Sequence, residues 1–365
     1  MNTRADLAER LDGRKDDDVQ TCWLKVVNSR QGQRASISDS EKTEKTGQRS
    51  VATKLVDTAR ILYDLGVSDD GTPYGTQPDV PHVALPLRGS KTGLRANLAR
   101  DYFERNNAVA SQQALADALT ALEGFATQEE PRRLHLRVAQ YNGTVYIDLA
   151  DPGDHVIPIN GGEWEISDTA PVVFRRTELT APMPIPIRGG DLTKLWDFIN
   201  VAKPDRPILL AFMVAALIQP LAPHVILGLL AEHGSAKSTT KRVVSVTDPS
   251  VVPLRMPPRD IDTWITGANG SWVVALDNLS HIPDWLSDAL CRAATGDGNV
   301  KRQLYTDNDL AVIQFLRCVI INGIDMGGLN GDLTDRLILA DLKRITEADR
   351  RDETELEAEW LQAHP

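Results

Sequence analysis

Residues 51–65 place Val51, Leu55, Ala59 and Leu62 at helical spacing, with Ser50 as a candidate N-cap and Gly66 as a stop. Residues 94–105 and 111–122 read as two more helices. The pattern then turns to alternation. Leu134, Leu136 and Val138, then Val145, Ile147 and Leu149, flank Asn142-Gly143, a strong hairpin turn signal. Further short strands are predicted over 155–159, 163–166 and 172–175, so the first half reads as α+β. Residues 181–188, APMPIPIR, are too rich in proline for a central strand, and Gly189-Gly190 closes them. A domain boundary is placed there.

Helices are predicted over 191–200 and 207–218. The longest apolar run, ILLAFMVAALI at 208–218, falls short of the ~20 residues a bilayer span needs. Gln219, Pro220 and Pro223 end it, and it reads as a buried helix. Residues 1–18 have no apolar core of the signal-peptide kind, and 28–50 are polar loop or linker. The expected organisation is a polar segment over 1–50, a smaller α+β domain over 51–188, an α/β domain over 189–345 and an acidic helical tail over 346–365. No membrane is implied, and a cytoplasmic location is expected.

The 224–240 stretch, HVILGLLAEHGSAKSTT, has the layout of a phosphate-binding loop: an apolar strand, a small-residue loop, then Lys-Ser opening a helix. Glu232, His233, Gly234, Ser235, Ala236, Lys237, Ser238 and Thr239 are the candidate nucleotide contacts. Lys237 would reach the β- and γ-phosphates, and the Ser238 hydroxyl would ligate Mg²⁺. Ala231 and Ala236 stand where glycines are usual, and a Ser/Lys-rich helix start is the alternative.

Three segments downstream supply what such a loop needs. WVVALDN at 272–278 is a short apolar run ending in Asp277, a second Mg²⁺ ligand at the end of a buried parallel strand. Asn278 follows where many ATPases carry a glutamate, and an amide orients water but cannot act as a base. CVIING at 318–323 reads as a buried strand ending in the amide Asn322, placed to meet the attacking water. DLTDR at 332–336 ends in Arg336, a candidate arginine finger, with Arg317 as its competitor and a surface ion pair as the plain alternative. Helices are predicted over 258–268 and 282–294, and the acidic strand-end residue Asp341 follows Arg336 on a further strand. Residues 299–314 read as two strands around 306–309, with Lys301 and Arg302 either phosphate contacts or a solvated basic pair.

The net charge of −11 argues against wholesale wrapping of nucleic acid but allows a local basic surface. Arg95, Arg100, Arg105, Arg132, Arg133 and Arg137 form such a set around the helix–helix–hairpin region. They are compatible with a winged-helix-like DNA reader or with an ordinary solvated face. Cys22, Cys291 and Cys318 are scattered and odd in number, which implies neither disulfides nor a zinc site.

Taken in order, GSAKSTT, ALDNLS, WLSDALCRAATGDG, RQLYTDND, VIINGI and DLTDR resemble the ATPase of actinobacterial phage and mobile-element replication proteins. That core is similar to superfamily 3 helicases of the AAA+ class. The resemblance spans roughly 189–345 and reaches more weakly to the 134–149 hairpin and to FRRT at 174–177. It implies an AAA+-like α/β P-loop NTPase fold, ATP and Mg²⁺ as cofactors, assembly of copies into a ring and DNA as the track. In a ring, the 299–314 hairpin would reach the central pore. The departures are the two loop alanines, Asn278 and the short space left for a lid domain. They keep open an ATP-gated DNA-binding or assembly module with little hydrolysis. A small-molecule kinase is the third reading, and no acceptor motif supports it. The expected test of the site is that Lys237, Ser238, Asp277 and Asn322 meet at the C-terminal ends of a parallel sheet.

Overall fold

The structure is a computed structural model and describes residues 49–89, 93–230, 236–296, 298–302, 310–323, 331–343 and 351–364. It is a mixed α/β protein. Among the described residues, those up to Leu62 together with Leu98–Ala121 form one compact unit, and those of 63–97 together with those from Leu122 onward form the other.

The first unit holds α1 (Val51–Leu62) and the adjoining parts of α2 (Leu94–Asn106) and α3 (Gln112–Ala126). Ser50 caps α1 as expected, its hydroxyl accepting from the Thr53 N–H at 3.1 Å. The helix ends at Leu62, the last of its spaced apolar residues, three residues short of the predicted end. Leu65 and Gly66 belong to β1 (Asp64–Val67), and Gly66 pairs with Tyr74 of β2 (Pro73–Gln77). A Cβ on Gly66 would come 2.7 Å from the Tyr74 ring, so this glycine admits a cross-strand aromatic and is no helix stop.

The second unit contains three layered parts. In the first sheet, β1, β2 and β3 (Val80–Pro86) run antiparallel, then β9 (Val173–Arg175) and β4 (Leu134–His135) add on in parallel, giving the order β1-β2-β3-β9-β4. The second is a meander of β5 (Val138–Tyr141), β6 (Thr144–Asp148), β7 (Val156–Asn160) and β8 (Glu163–Trp164). Its first turn carries Asn142 at φ 48° and Gly143 at φ 78°, the pair of left-handed residues that an Asn-Gly hairpin provides. The predicted 134–149 hairpin is thus shared: Leu134–His135 serves one sheet and β5–β6 the other.

The third part is a parallel sheet in the order β11-β14-β10-β15, built from β10 (Ile226–Leu230), β11 (Val273–Leu276), β14 (Cys318–Asn322) and β15 (Leu337–Asp341). Each strand is apolar on both sides, as a strand covered on both faces must be. Leu227, Leu229, Val273, Ala275, Cys318 and Ile320 join one core with Leu209, Phe212 and Met213 of α4 (Arg206–Ile218) and Val243 and Val244 of α5 (Ala236–Thr247). Ile226, Val274, Leu276, Val319 and Ile321 join the other with α6 (Ile261–Asn269) and α7 (Asp284–Thr295). The predicted 191–200 helix is instead a 3₁₀ turn, Leu192–Asp197, which Asp191 caps through the Thr193 N–H at 2.9 Å. After α8 (Gly331–Arg336) and β15, α9 (Glu353–Ala363) buries Trp360, which lies 5.2 Å from Phe198 and carries the Arg242 guanidinium of α5 at 4.7 Å. No helix of the described residues is long and apolar enough to cross a membrane.

Candidate nucleotide site

The four strand ends define one edge. In register, Leu229 lies beside Asn322, Ile321 beside Leu276, and Leu230 beside Asp341, so β10, β11 and β14 all deliver their last residues to the same level. β14 lies between β10 and β11, which puts Asn322 between the strand feeding the loop and the strand bearing Asp277. Residues Glu232, His233, Gly234 and Ser235 lie outside the described residues, as does Ala231. Ala236 opens α5, with Lys237, Ser238, Thr239 and Thr240 in its first turns.

Lys237 Nζ lies 3.4 Å from Asp277 Oδ2 across this edge. The lysine side chain is 64% exposed and the carboxylate 18%, so the pair faces solvent from a recessed wall. Ser238 is half-buried. Thr239 is buried and its hydroxyl meets the Asn200 N–H at 3.4 Å, which turns it toward the segment before α4.

Asn322 is buried and uses both ends of its amide. Its Oδ1 accepts from the Asn278 N–H at 2.9 Å, and its Nδ2 donates to Thr240 Oγ1 at 3.0 Å. Its main-chain carbonyl accepts from the Leu279 N–H at 3.0 Å. The chain leaving β11 therefore folds over the end of β14. Asn278 takes φ 56°, and Gly323 takes φ 84° where a Cβ would come 3.0 Å from Asn278 Cα. Asparagine tolerates the left-handed region better than most residues, which accounts for an amide at 278 by backbone conformation. Thr240 was not among the residues read from the sequence. Its place one turn beyond Lys237, in KSTT, is the signal that could have found it.

Arg336 and Arg317 are engaged elsewhere. Arg336, at the end of α8, is bonded to the Asp332 carboxylate one turn back and to the Asp332 carbonyl at 2.9 Å. Arg317 is buried before β14 and donates to the carbonyls of Ala268 at 2.6 Å and Leu316 at 2.7 Å, so it is a packing arginine and not a solvent-facing finger. Lys301 and Arg302 stand on β12 (Gly298–Arg302), in register with Ala311 and Leu310 of β13 (Leu310–Gln314). Their side chains and the 303–309 tip lie outside what is described.

Behind the site, the upstream sheets meet the parallel sheet through charge. Arg137 is fully buried, which removes it from the basic surface set. It donates to Asp248 Oδ1 at 2.8 Å, to the Asp148 carbonyl at 2.8 Å and to the Ala181 carbonyl at 2.8 Å. Asp248 follows α5, and its Oδ2 accepts from the N–H groups of Trp272 and Val273 at 2.8 and 2.9 Å, at the start of β11. Arg176 of FRRT grips the buried Asp148 carboxylate at 2.7 and 3.0 Å.

A search of curated proteins finds no match. Among solved structures, the chain is similar to an apo structure of the NrS-1 C-terminal region, with 10% identity over 86% of this chain and 66% of that one and a TM-score of 0.39. A second structure of that region gives 10% identity, 87% and 68% coverage and a TM-score of 0.41. This chain thus spans about two thirds of the length of those chains. Residues 191–365, which include every strand of the parallel sheet, match the family described as actinomycete integrative conjugative element replication protein.

Proposed function

We propose that this chain is an ATP-binding replication protein of a mobile element, an AAA+-type P-loop ATPase similar to superfamily 3 helicases, working on DNA as a ring of copies. The observation that carries the reading is the convergence of Lys237, Asp277 and Asn322 on one edge of a parallel sheet, where folds of this kind take ligands. The match of residues 191–365 to a replication family supports the DNA context.

The donor set suits Mg²⁺: a half-buried hydroxyl on Ser238 and a recessed carboxylate on Asp277 are hard oxygen ligands on the same edge. When bound, the ion would neutralise charge on the terminal phosphates. Lys237, held by Asp277 over 3.4 Å, would turn to the phosphates as they enter, and the amide ends of α5 would face them. Asn322 would act through position, holding Thr240 and the Asn278 turn at fixed places beside the reacting phosphate. The deciding experiment is ATP turnover by the full chain and by Lys237→Ala, with and without single-stranded DNA. Equal background rates in all four arms would overturn the reading.

One observation favours a second reading. Residue 278 is an asparagine, so no carboxylate at this position activates water, and its main-chain N–H is taken by Asn322 Oδ1. ATP would then gate oligomer or DNA binding with little hydrolysis. Sedimentation with a non-hydrolysable analogue tests it, and an unchanged mass and DNA affinity would count against it.

A further inference from the structure

Three arginines from three separate segments end on one helix terminus. Arg255 donates to the Gly267 carbonyl at 2.7 Å, Arg317 to Ala268 at 2.6 Å and Arg175 to Asn269 at 2.8 Å, while Thr177 bonds the Gly270 carbonyl at 2.7 Å. These carbonyls are consecutive at the end of α6 and lie within one turn, about 5.4 Å of axis. The three guanidinium groups are therefore crowded into one patch.

A helix C-terminus attracts cations, but it carries only about half a negative charge. One arginine balances it; three exceed it. Among the described residues, none of these three arginines has a carboxylate within ion-pair distance. Asp248 acts on Arg255 and Arg317, but its two oxygens are engaged by Arg137, Trp272 and Val273. Asp69 and Asp70 act on Arg175 from beyond bonding distance, and Asp70 is bonded to Ser68 and to the Thr72 N–H. Burial pushes the Arg317 pKa down to about 9, and the nearby Arg175 and Arg133 charges push the same way. Unbalanced buried charge is costly unless something of opposite sign completes it.

Arg317 is buried, while Arg175 and Arg255 are half-buried and keep part of their surface in solvent. Arg175 commits one of its guanidinium nitrogens to α6, and Arg255 commits two, to Gly267 and Ser271. Arg317 immediately precedes β14, and α6 leads into β11, so the patch sits at the N-terminal edge of the parallel sheet. The five steps along the chain from Trp272 to Asp277 put it roughly 16 Å from the nucleotide edge.

We propose that this arginine patch is a second anion site that takes a phosphate group, with Arg175 and Arg255 as its outer ligands and Arg317 behind them. Guanidinium forks match phosphate oxygens, and on a chain of net charge −11 a concentrated patch is what phosphate contact requires. The phosphate belongs either to a nucleic-acid backbone or to free phosphate or pyrophosphate.

The site is independent of the nucleotide reading and is tested in the full chain carrying Lys237→Ala. Two measurements separate the sources: anisotropy of a labelled single-stranded oligonucleotide without ATP, and the melting shift given by inorganic phosphate or pyrophosphate against chloride at matched ionic strength. Arg175→Gln, which keeps a side-chain donor toward α6 but removes the charge, is expected to weaken the oligonucleotide about five- to tenfold and to lower the salt slope by about one. That result assigns a nucleic-acid backbone. Loss of a phosphate-dependent melting shift in Arg175→Gln or Arg255→Lys assigns free phosphate. If both variants leave the oligonucleotide affinity and the melting shift unchanged, the arginines only cap α6 and the proposal falls.

Discussion

Arg137 and Asp248, 111 residues apart, form an ion pair of 2.8 Å with side chains 0% and 7% exposed. The pair joins β5's approach to the end of α5, and through the second Asp248 oxygen it holds the first N–H groups of β11. The strand that carries Asp277 is thus anchored at its far end by a residue from upstream of the parallel sheet.

Arg137→Met should cost about 3–5 kcal/mol of stability, because it leaves Asp248 charged and buried without its cation. Urea unfolding of the full chain measures this. A loss below about 1 kcal/mol would mean that the pair adds little.

Removing Lys237 should separate binding from folding. Its pair with Asp277 is solvent-facing, and such pairs contribute about 0–1 kcal/mol. Lys237→Ala should therefore melt close to the parent while losing nucleotide affinity. Asn322→Ala should do the opposite to stability. It strips a buried donor and acceptor pair and should cost about 1–3 kcal/mol, read by the same unfolding assay.

Position 278 tests backbone shape against chemistry. Asn278 sits at φ 56°, so Asn278→Gly should keep or slightly raise stability, whereas Asn278→Val should lose about 1–3 kcal/mol. A valine variant as stable as the parent would show that the left-handed turn is not held in solution.

The β6–β7 loop carries a pH-dependent contact. His155 Nδ1 lies 2.7 Å from Asp151 Oδ2, and this bond raises the histidine pKa. Burial pushes Asp151 upward, but bonds from the His155 ring and from the His155 and Gly153 N–H groups outweigh it and leave its pKa lowered. The histidine contribution is full below its ordinary value and fades as pH rises through the raised one. The aspartate contribution is present above its ordinary value and fades as pH falls through the lowered one. The loop is therefore steadiest between the two, and histidine NMR titration should show the raised pKa. Gly153→Ala should return it toward normal, because the new Cβ would fall 2.2 Å from the ring and displace it from Asp151.

What was legible in the sequence was local. Apolar runs ending at Leu230, Asp277, Asn322 and Asp341 marked the strands of the parallel sheet, because a strand covered on both faces must be apolar throughout. Asn142-Gly143 marked its hairpin, because few pairs adopt two left-handed conformations. β1 to β3 were not legible: DLGV, PYGTQ and VPHVALP mix glycine, proline and polar residues, and their pairing rests on partners such as Tyr74 over Gly66.

Tertiary structure alone decided the rest. Arg137 stands in a stretch of basic residues and has the same side chain as its exposed neighbours Arg132 and Arg133. Only the approach of Asp248 makes its burial tolerable. Three arginines at the end of α6 come from positions 175, 255 and 317, a convergence no spacing rule encodes. The sequence by itself determined the strands of the parallel sheet, the long helices around them and the polar residues that end those strands, since periodicity and turn chemistry act over a few residues. Which charges meet inside was settled by the fold, since that depends on segments separated by tens to hundreds of residues coming within a hydrogen bond of one another.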